Sequence, residues 1–561
     1  MKMIPYGISD FRDVKLNDYY YIDKTHFIPK VEMYGRYLYL IRPRRFGKSL
    51  FLNMLAFYYD VYYKDEFDDV FGDCYISKNR TKEASSYYIM KFDFSAVSTV
   101  GDVDKNFSSY CNIRIEYFIK KYNFDIEIDK TKPAHENLNF VFSELRLKQI
   151  PIYVMIDEYD NFINNILMHD EKDYEKLVSS KDQAIYKEFF KLLKAGTTDN
   201  GSSLKKMFIT GVSPLAMFDV TSGSNIGTNI TNERIFNDAV GVTKEELNTL
   251  LSHYKLESKF TSYNSNLSID DWYDSYKFHK NIKETIYNTD MILYYVKSLL
   301  LTNEPPQNLV DINIRTDYSK LKYLVYTNNR LNGNFNTLQK LLGDDEVTTL
   351  QIKDSFSAFE MKKEDNFISL LYYLGLITID KFYRGKYYFK IPNQTIRIIM
   401  AEYIQQALKE KEIFKIDLNA FQNTIQEFAY DGSLNIFKFL SNEIEKNSKV
   451  RDYIEGENFI KGFLIAYLSL SPFYAVLTEV ERNKGFVDIL LRKAPNIEDD
   501  IAEGVIELKY IPRSKFTKAL LNQKIADAKE QLEQYEVQSN EIGVIVVFSG
   551  WEMVHCERYE G

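Results

Sequence analysis

The segment between residues 37 and 49 constrains the fold of this chain more than any other. Five apolar residues, Tyr37-Leu-Tyr-Leu-Ile41, lead into Arg42-Pro-Arg-Arg-Phe-Gly-Lys-Ser49, and a helical pattern follows. Gly47 lets backbone N–H groups close around phosphate oxygens, Lys48 reaches the outer phosphates, and the Ser49 hydroxyl suits Mg²⁺. The strand, loop and helix predict a phosphate-binding loop (P-loop) in an α/β domain.

This loop departs from the usual GxxxxGK[ST] pattern at its first position, where Arg42 stands in place of glycine. The tight turn must therefore form without the residue that most easily makes it. Arg44 and Arg45 have two interpretations: they contact the nucleotide phosphates or a neighbouring copy in a homo-oligomer, or they only solvate the loop. A chance GKS at the start of a helix is the simpler alternative for the whole motif.

A second motif supports the P-loop interpretation. Ile152-Tyr-Val-Met-Ile-Asp157-Glu158 has the pattern of a buried strand that ends in two carboxylates. Asp157 is expected to hold Mg²⁺ and Glu158 to activate water, although an acidic loop after a strand would look the same. Thr210 ends a further strand and is expected to sense the γ-phosphate.

Length and pattern predict a multidomain α/β protein, because 561 residues exceed what one core usually holds. Strand-like runs alternate with helical stretches in residues 1–242, which indicates an α/β domain. Residues 243–400 are mostly helical and end in a helix and two strand-like pieces around Arg384-Gly385, a pattern that a winged-helix unit would give. Residues 401–561 close the chain with a second α/β domain.

Composition limits the classes of function. The net charge of −9 argues against a protein that coats nucleic acid over its whole surface, so any nucleic-acid contact must be local. Three cysteines far apart in sequence predict neither a disulfide framework nor a zinc site. With no export signal and no membrane span visible in the sequence, we expect a cytoplasmic protein without membrane partners.

Near the C-terminus, carboxylates and a lysine fall at the spacing of a metal-dependent phosphodiesterase site. Asp488 lies on one strand-like run, and Glu507 and Lys509 lie two residues apart on the next, so both point to one face. Converging carboxylates hold Mg²⁺, and a lysine beside them positions water and stabilises charge at the scissile phosphate. The alternative is a set of inert polar residues on the strand.

Several specific strings resemble one known family. They are Pro5-Tyr-Gly-Ile-Ser-Asp-Phe11, Tyr21-Ile-Asp-Lys-Thr25, the RPRRFGKS loop, IDEYD at 156–160, SGSNIGTNIT at 222–231 and SLLYYLGLIT at 369–378. The chain is similar over nearly its whole length to AAA-ATPase-like proteins that carry a C-terminal PD-(D/E)XK nuclease domain with a restriction-endonuclease-like fold. The resemblance implies ATP and Mg²⁺ as cofactors and DNA or RNA as a partner.

The resemblance also implies accessory residues for the nuclease domain. Glu457, on an upstream helix, is where this superfamily often places another metal-linked acid, and Gln531 and Tyr535 resemble the QxxxY motif of exonuclease domains in bacterial recombination helicases. The family often has arginine two residues before the aspartate, in GRxD, whereas this chain has Phe486. Lysines and arginines between 509 and 529 either follow a phosphate backbone or form a solvated helix face.

Two hypotheses from different classes therefore remain after the sequence. The first is an enzyme in which ATP binding or hydrolysis controls a Mg²⁺-dependent nuclease. The second is a non-catalytic, nucleotide-dependent switch or scaffold that keeps both folds, and Arg42 and Phe486 are its main support. Cleavage assays with divalent metal distinguish the two.

Overall fold

A computed structural model describes most of the chain. The description excludes residues 162–184, 199–200, 216–226, 258–268, 312, 315–324, 328–329, 344, 357–359, 362, 411, 448–455, 484, 495 and 561. Part of the SGSNIGTNIT string, residues 222–226, thus lies outside the described residues. Every predicted site residue lies within them.

The strands are β1 (Tyr37–Ile41), β2 (Tyr88–Asp93), β3 (Ile152–Asp157), β4 (Leu204–Gly211), β5 (Thr228–Asn229), β6 (Val242–Thr243), β7 (Ile286–Tyr287), β8 (Tyr326–Thr327), β9 (Arg330–Leu331), β10 (Val347–Thr349), β11 (Thr378–Tyr383), β12 (Lys386–Lys390), β13 (Tyr474–Arg482), β14 (Gly485–Lys493), β15 (Glu503–Ile511), β16 (Glu541–Ser549) and β17 (Glu552–Arg558).

The helices are α1 (Phe11–Leu16), α2 (Ile28–Tyr34), α3 (Lys48–Tyr59), α4 (Phe67–Phe71), α5 (Tyr75–Lys78), α6 (Val103–Lys121), α7 (Ala134–Leu147), α8 (Ile185–Thr198), α9 (Lys244–Tyr254), α10 (Ile269–Tyr273), α11 (Thr289–Thr302), α12 (Gly333–Leu342), α13 (Glu364–Tyr373), α14 (Gln394–Glu410), α15 (Leu418–Asp431), α16 (Asn435–Lys446), α17 (Glu457–Leu468) and α18 (Lys518–Gln534).

The chain forms two compact units, and the first holds the N-terminal motifs. It comprises residues Met1–Leu250, Tyr276–Lys297 and Gln351–Gly375. Its sheet has the order β2-β3-β4-β1-β5, and every neighbouring pair is parallel. All six residues of β3 are buried, as expected for a parallel strand covered on both faces. The α/β prediction for this part of the chain is confirmed.

Strand order brings the functional motifs of the first unit together. β4 lies between β1, which leads into the P-loop, and β3, which ends at Asp157. Because these strands are parallel, their carboxyl ends lie at one edge of the sheet, where ligands bind in open α/β folds. The P-loop, Asp157 and Thr210 therefore meet at that edge.

The second unit comprises residues Leu251–Ser275, Ser298–Leu350 and Leu376–Gly561. Its large sheet has the order β13-β14-β15-β16-β17 and is mixed, because β15 and β16 are parallel whereas the other pairs are antiparallel. Helix α18 makes the crossover between β15 and β16 and packs Ala528 and Leu532 onto the sheet. This is the predicted second α/β domain.

The predicted winged-helix candidate corresponds to real elements. Helix α13 is followed by the antiparallel hairpin of β11 and β12, and Arg384 and Gly385 form its turn with φ values of 49° and 78°. The boundary between the two compact units falls at Gly375, within this candidate. The three-domain division at residues 242 and 400 does not coincide with these two units, each of which includes parts of residues 243–400, and it stays a prediction. Among the described helices, none combines the length and apolar character required to cross a membrane.

Candidate functional sites

The P-loop has the backbone conformation that its glycine predicts. Gly47 adopts φ +90° immediately before helix α3, a left-handed conformation that glycine adopts without strain. Lys48 begins the helix, is buried, and donates from Nζ to the carbonyl of Pro43 at 2.9 Å. Burial lowers the pKa of Lys48, although nearby Glu158 opposes this shift. Ser49 follows on the first turn of the helix, half-buried.

Residues that follow β7 hold Arg44 and Arg45 in the loop. The Asn288 amide donates to the Arg44 carbonyl at 3.0 Å, and Arg45 forms an ion pair with Asp290 at 3.2 Å. Arg45 itself has a positive φ of 67°. These contacts stabilise the shape of the loop from within the same unit, so Arg45 has a structural partner whichever interpretation of its function is correct.

Arg42 explains how the loop forms without its first glycine. The side chain is fully buried, and its guanidinium donates to the carbonyl of Thr231 and, at 3.0 Å, to that of Phe236. It also lies 4.0 Å from the centre of the Phe278 ring. Burial lowers the pKa of Arg42 to about 10. Arg42 therefore serves the core beneath the loop and does not face a phosphate.

Asp157 ends strand β3 and Glu158 follows it, so both predicted carboxylates lie at the edge of the sheet beside the P-loop. Asp157 is buried and accepts hydrogen bonds from the Thr210 hydroxyl and, at 3.1 Å, from the Glu158 backbone N–H. Glu158 has a positive φ of 48° and accepts from Asn161 at 2.8 Å. Burial raises the pKa of Glu158. Thr210 thus orients Asp157 in this structure, and its role toward a γ-phosphate stays a prediction.

The sequence interpretation missed Asp160, the third acid of IDEYD. Asp160 is almost fully buried and accepts from the backbone N–H groups of Val212 at 3.0 Å and Ser213 at 2.8 Å. It therefore joins the segment after β3 to the segment after β4. The available signal was the third acid of the IDEYD motif. The backbone N–H groups that Asp160 binds, however, lie about fifty residues away in the sequence.

In the second unit, Asp488 and Glu507 come from adjacent strands to one place. Asp488 on β14 accepts from the Leu508 backbone N–H of β15 at 3.0 Å, which fixes its carboxylate beside Glu507. Lys509 donates from Nζ to Glu507 Oε1 at 2.5 Å. Ile506 and Leu508 are buried, as the alternation along this strand predicted.

The electrostatics of this pair suit a cation. Burial, followed by the negative charge of Asp488, raises the pKa of Glu507 to about 8, and Lys509 only partly opposes this shift. Glu507 Oε2 is buried and accepts no hydrogen bond from any described residue. Two close carboxylates with such an oxygen fit a Mg²⁺ site, because Mg²⁺ is usually held by one or two carboxylates with waters and substrate phosphates. No group of three or more His, Cys, Asp or Glu side chains is arranged for a metal in the part of the chain that is described.

Helix α17 adds an acid that was predicted and a lysine that was missed. Glu457 begins the helix, and its pKa is raised by burial and then by the charge of Asp488. Lys461, one turn later and buried, forms an ion pair with Asp488 at 3.3 Å. Its position four residues after Glu457 places it on the same helix face, which was the available signal.

Within the QxxxY pair, Tyr535 supports the backbone next to the carboxylate site. The Tyr535 hydroxyl donates to the Phe486 carbonyl at 2.7 Å, and the Tyr535 ring lies where a side chain at Gly485 would be. Tyr535 therefore positions the start of β14, two residues before Asp488. The Gln531 side chain is half-buried and forms no hydrogen bond with any described residue.

Comparison with protein families identifies the domains that hold these two sites. Residues 5–221 match the family described as predicted AAA-ATPase (AAA-ATPase-like), and residues 455–558 match the PD-(D/E)XK nuclease superfamily. The chain is therefore a multidomain α/β protein with an AAA-ATPase-like N-terminal domain. It ends in a domain of the PD-(D/E)XK nuclease superfamily, and the resemblance noted in the sequence is confirmed.

Two individual proteins are also similar to parts of the chain. An uncharacterized protein in the vnfD 5'region of Azotobacter chroococcum mcd 1 is 50% identical over 56 residues, which is 10% of this chain and 11% of that protein. The crystal structure of Cdc6p from Pyrobaculum aerophilum is 12% identical with a TM-score of 0.26, over 71% of this chain and 98% of that one. The chain spans about a tenth of the first protein, and the second likeness is too low to support an argument.

Proposed function

We propose that the first unit binds ATP and hydrolyses it. Gly47 and Lys48 would hold the phosphates, with Arg44 and Arg45 beside them. Ser49 and Asp157 would hold Mg²⁺, which would neutralise charge on the phosphates, and Glu158 would orient the attacking water. The raised pKa of Glu158 supports a role as a proton acceptor in a dehydrated site.

A cleft next to Gly47 supports a nucleotide over a smaller phosphate compound. It is mainly apolar, and its walls include Pro5, Tyr20, Leu50 and Val240. The flat face of a nucleobase packs favourably against apolar walls, whereas a free phosphate would gain nothing from them. The site is therefore proposed for a nucleoside triphosphate with its base against this cleft.

For the second unit we propose a metal-dependent nuclease. The observation that carries this proposal is the convergence of Asp488 and Glu507 from adjacent strands, with Lys509 bonded to Glu507. These carboxylates, with Glu457 nearby, would hold Mg²⁺, which would activate water and stabilise charge on a phosphodiester. Lys509 would orient the water and stabilise the developing charge without binding metal.

We further propose that the nucleotide state of the first unit controls the nuclease. Action on nucleic acid, assembly into homo-oligomers and a cytoplasmic location stay predictions from the sequence. The non-catalytic switch or scaffold is the second candidate. It is favoured by the lack, among the described residues, of a carboxylate cluster large enough to enclose a metal by itself.

The test is a cleavage assay on purified full-length protein. Labelled single-stranded DNA, duplex DNA, plasmid and RNA are incubated with Mg²⁺, Mn²⁺ or chelator, each with and without ATP. We expect metal-dependent cleavage of at least one substrate and no cleavage by Asp488→Ala or Glu507→Ala. Glu533→Ala, at an exposed carboxylate of α18, is the matched control and should cut normally. Nucleotide-dependent assembly without cleavage would support the scaffold instead.

A further inference from the structure

Two large apolar side chains stay exposed in the nuclease domain. Among the described residues of 456–560, Phe486 and Phe516 are the large hydrophobic residues exposed to water, at 56% and 40%. Single exposed apolar residues are ordinary on protein surfaces. Two exposed aromatic rings on the segments that begin β14 and follow β15, the strands of the catalytic candidates, are less ordinary and support a binding surface.

Strand register places Phe486 at the end of the sheet where β15 ends and the segment that carries Phe516 begins. β14 and β15 are antiparallel, with Ile489 opposite Ile506, so the beginning of β14 lies beside the end of β15. Phe486 stands two residues before Asp488 at that beginning. Phe516 follows the end of β15 by five residues and immediately precedes Thr517, the N-cap of α18.

The backbone at Phe486 is held in place, which fixes the point from which its exposed side chain extends. The Tyr535 hydroxyl donates to the Phe486 carbonyl at 2.7 Å, and Tyr535 itself is buried in the core beneath α18. Gly485 has no side chain, and the Tyr535 ring occupies that space. A rigid, exposed ring loses little conformational freedom when a flat partner stacks on it.

Cations outnumber anions among the charged residues at the same end of the sheet, where Glu552 pairs with Arg513 at 3.5 Å. Lys515 and Lys518 are exposed on either side of Phe516, and Arg513 lies 4.4 Å from the centre of the Trp551 ring. The turn that carries Trp551 is joined to β15 by a hydrogen bond from the Gly550 N–H to the Ile511 carbonyl, at 3.1 Å. In a chain of net charge −9, this local excess of cations complements a phosphate backbone.

We propose that this end of the sheet binds unpaired nucleobases by stacking them on Phe486 and Phe516. The substrate of the carboxylate site is then single-stranded nucleic acid, or a duplex end whose bases have separated. In an intact duplex the faces of the bases are covered by their neighbours, whereas in a single strand they are available to aromatic side chains. This inference rests on the proposed nuclease function and specifies its substrate.

Binding can be measured apart from cleavage. In an Asp488→Asn background without divalent metal, fluorescence anisotropy gives the affinity for labelled oligothymidylate, oligouridylate, a blunt duplex and an abasic oligonucleotide with the same phosphates. We expect the single strands to bind more tightly than the duplex and the abasic strand. Phe486→Ala and Phe516→Ala should each weaken single-strand binding about tenfold or more, with little effect on the abasic strand.

Matched variants separate stacking from general surface effects. Phe486→Trp keeps an aromatic face and should retain affinity. Leu418→Ala removes another exposed apolar side chain of the same unit, 44% exposed at the start of α15, and should change nothing. Circular dichroism confirms that each variant is folded.

The outcomes distinguish this inference from the proposed function. If the protein binds single strands but Phe486→Ala and Phe516→Ala do so equally well, or if abasic and normal strands bind alike, stacking is wrong and the nuclease proposal stands. If duplex binds more tightly than single strands, the substrate class is wrong. If no nucleic acid binds under any condition, the proposed nuclease function fails as well.

Discussion

The two candidate sites differ in how far their own side chains satisfy each other. In the P-loop, Lys48 donates to a loop carbonyl, and at the neighbouring strand ends Thr210 donates to Asp157. In the nuclease domain, Lys509 donates to Glu507 Oε1 and Lys461 pairs with Asp488, but the buried Glu507 Oε2 has no donor among the described residues. A ligand at the first site must replace existing hydrogen bonds, whereas a cation at the second would contact a buried carboxylate oxygen that has no donor and is therefore costly to bury.

This difference indicates which interactions determine ligand affinity at each site. Affinity at the P-loop depends on exchanging one set of hydrogen bonds for another, so the net gain per group is modest. Affinity at the carboxylates depends on charge neutralisation in a buried place, where interactions are stronger. Substitutions that remove a charge should therefore reveal the difference in ligand affinity between the two sites more clearly than substitutions that change only the shape of a side chain.

The largest effect is expected for Lys509→Ala. The lysine is proposed to act on developing charge and not to hold metal, so turnover should fall roughly 10²- to 10³-fold, as for comparable electrostatic donors. Mg²⁺ affinity, measured by calorimetry, should stay largely unchanged. Lys493→Ala, at the other end of β14, serves as the control. An equal loss of Mg²⁺ binding would show that Lys509 mainly holds the carboxylates in place.

At the P-loop we expect a smaller effect from Lys48→Ala. Loss of one charged donor should weaken ATP binding about 10- to 100-fold, measured by isothermal titration. Glu158→Gln should bind ATP normally and release no phosphate, since only the water-activating group is changed. Lys120→Ala, at an exposed lysine of α6, is the control. Unchanged ATP binding in Lys48→Ala would exclude this loop as the nucleotide site.

The substitution Arg42→Met tests how much the buried hydrogen bonds beneath the P-loop contribute to stability. The carbonyls of Thr231 and Phe236 would lose their buried donor, so the free energy of unfolding should fall by about 1–3 kcal/mol. Arg12→Met is the matched control because Arg12 makes only a surface ion pair with Glu66, and its loss should cost less than about 1 kcal/mol. Urea denaturation followed by circular dichroism measures both. Equal effects would mean that Arg42 contributes no more than a surface residue.

The smallest effect concerns pH and the carboxylate site. The pKa of Glu507 in the folded protein, about 8, lies above its value in an unfolded chain, so its stabilising contribution is full at low pH and is lost as pH rises through about 8. In chelator, Glu507→Gln should therefore melt above the wild type at about pH 9, and the gap should close at about pH 5. A gap independent of pH would argue against the raised pKa.

Much of this structure could be predicted from local sequence patterns. The rest depends on contacts between residues that are far apart in the sequence. The strand before the P-loop, the strand that ends at Asp157 and the Glu507–Lys509 alternation were predictable because each depends on neighbours in sequence. The burial of Arg42 was not, because its acceptors Thr231 and Phe236 lie about 190 residues away.

The same reasoning applies to the nuclease domain. The ion pair between Lys461 and Asp488 joins a helix to a strand 27 residues later. The spacing from Glu457 indicated only the helix face on which Lys461 lies, and its partner depends on how α17 packs against the sheet. The bond from Tyr535 to the Phe486 carbonyl depends on how α18 packs across the sheet. QxxxY indicated a helical pair near the site, but only packing shows that Tyr535 supports the strand of Asp488.

The placement of Trp551 gives the protein an optical reporter of its own. The chain has two tryptophans, and Trp272 is only 3% exposed, so its emission should respond little to quenchers added in solution. Trp551 is only partly covered and lies against Arg513 at the end of the sheet near Phe516. Intrinsic fluorescence and acrylamide quenching therefore allow events at that end of the nuclease domain to be followed in the unlabelled, full-length chain.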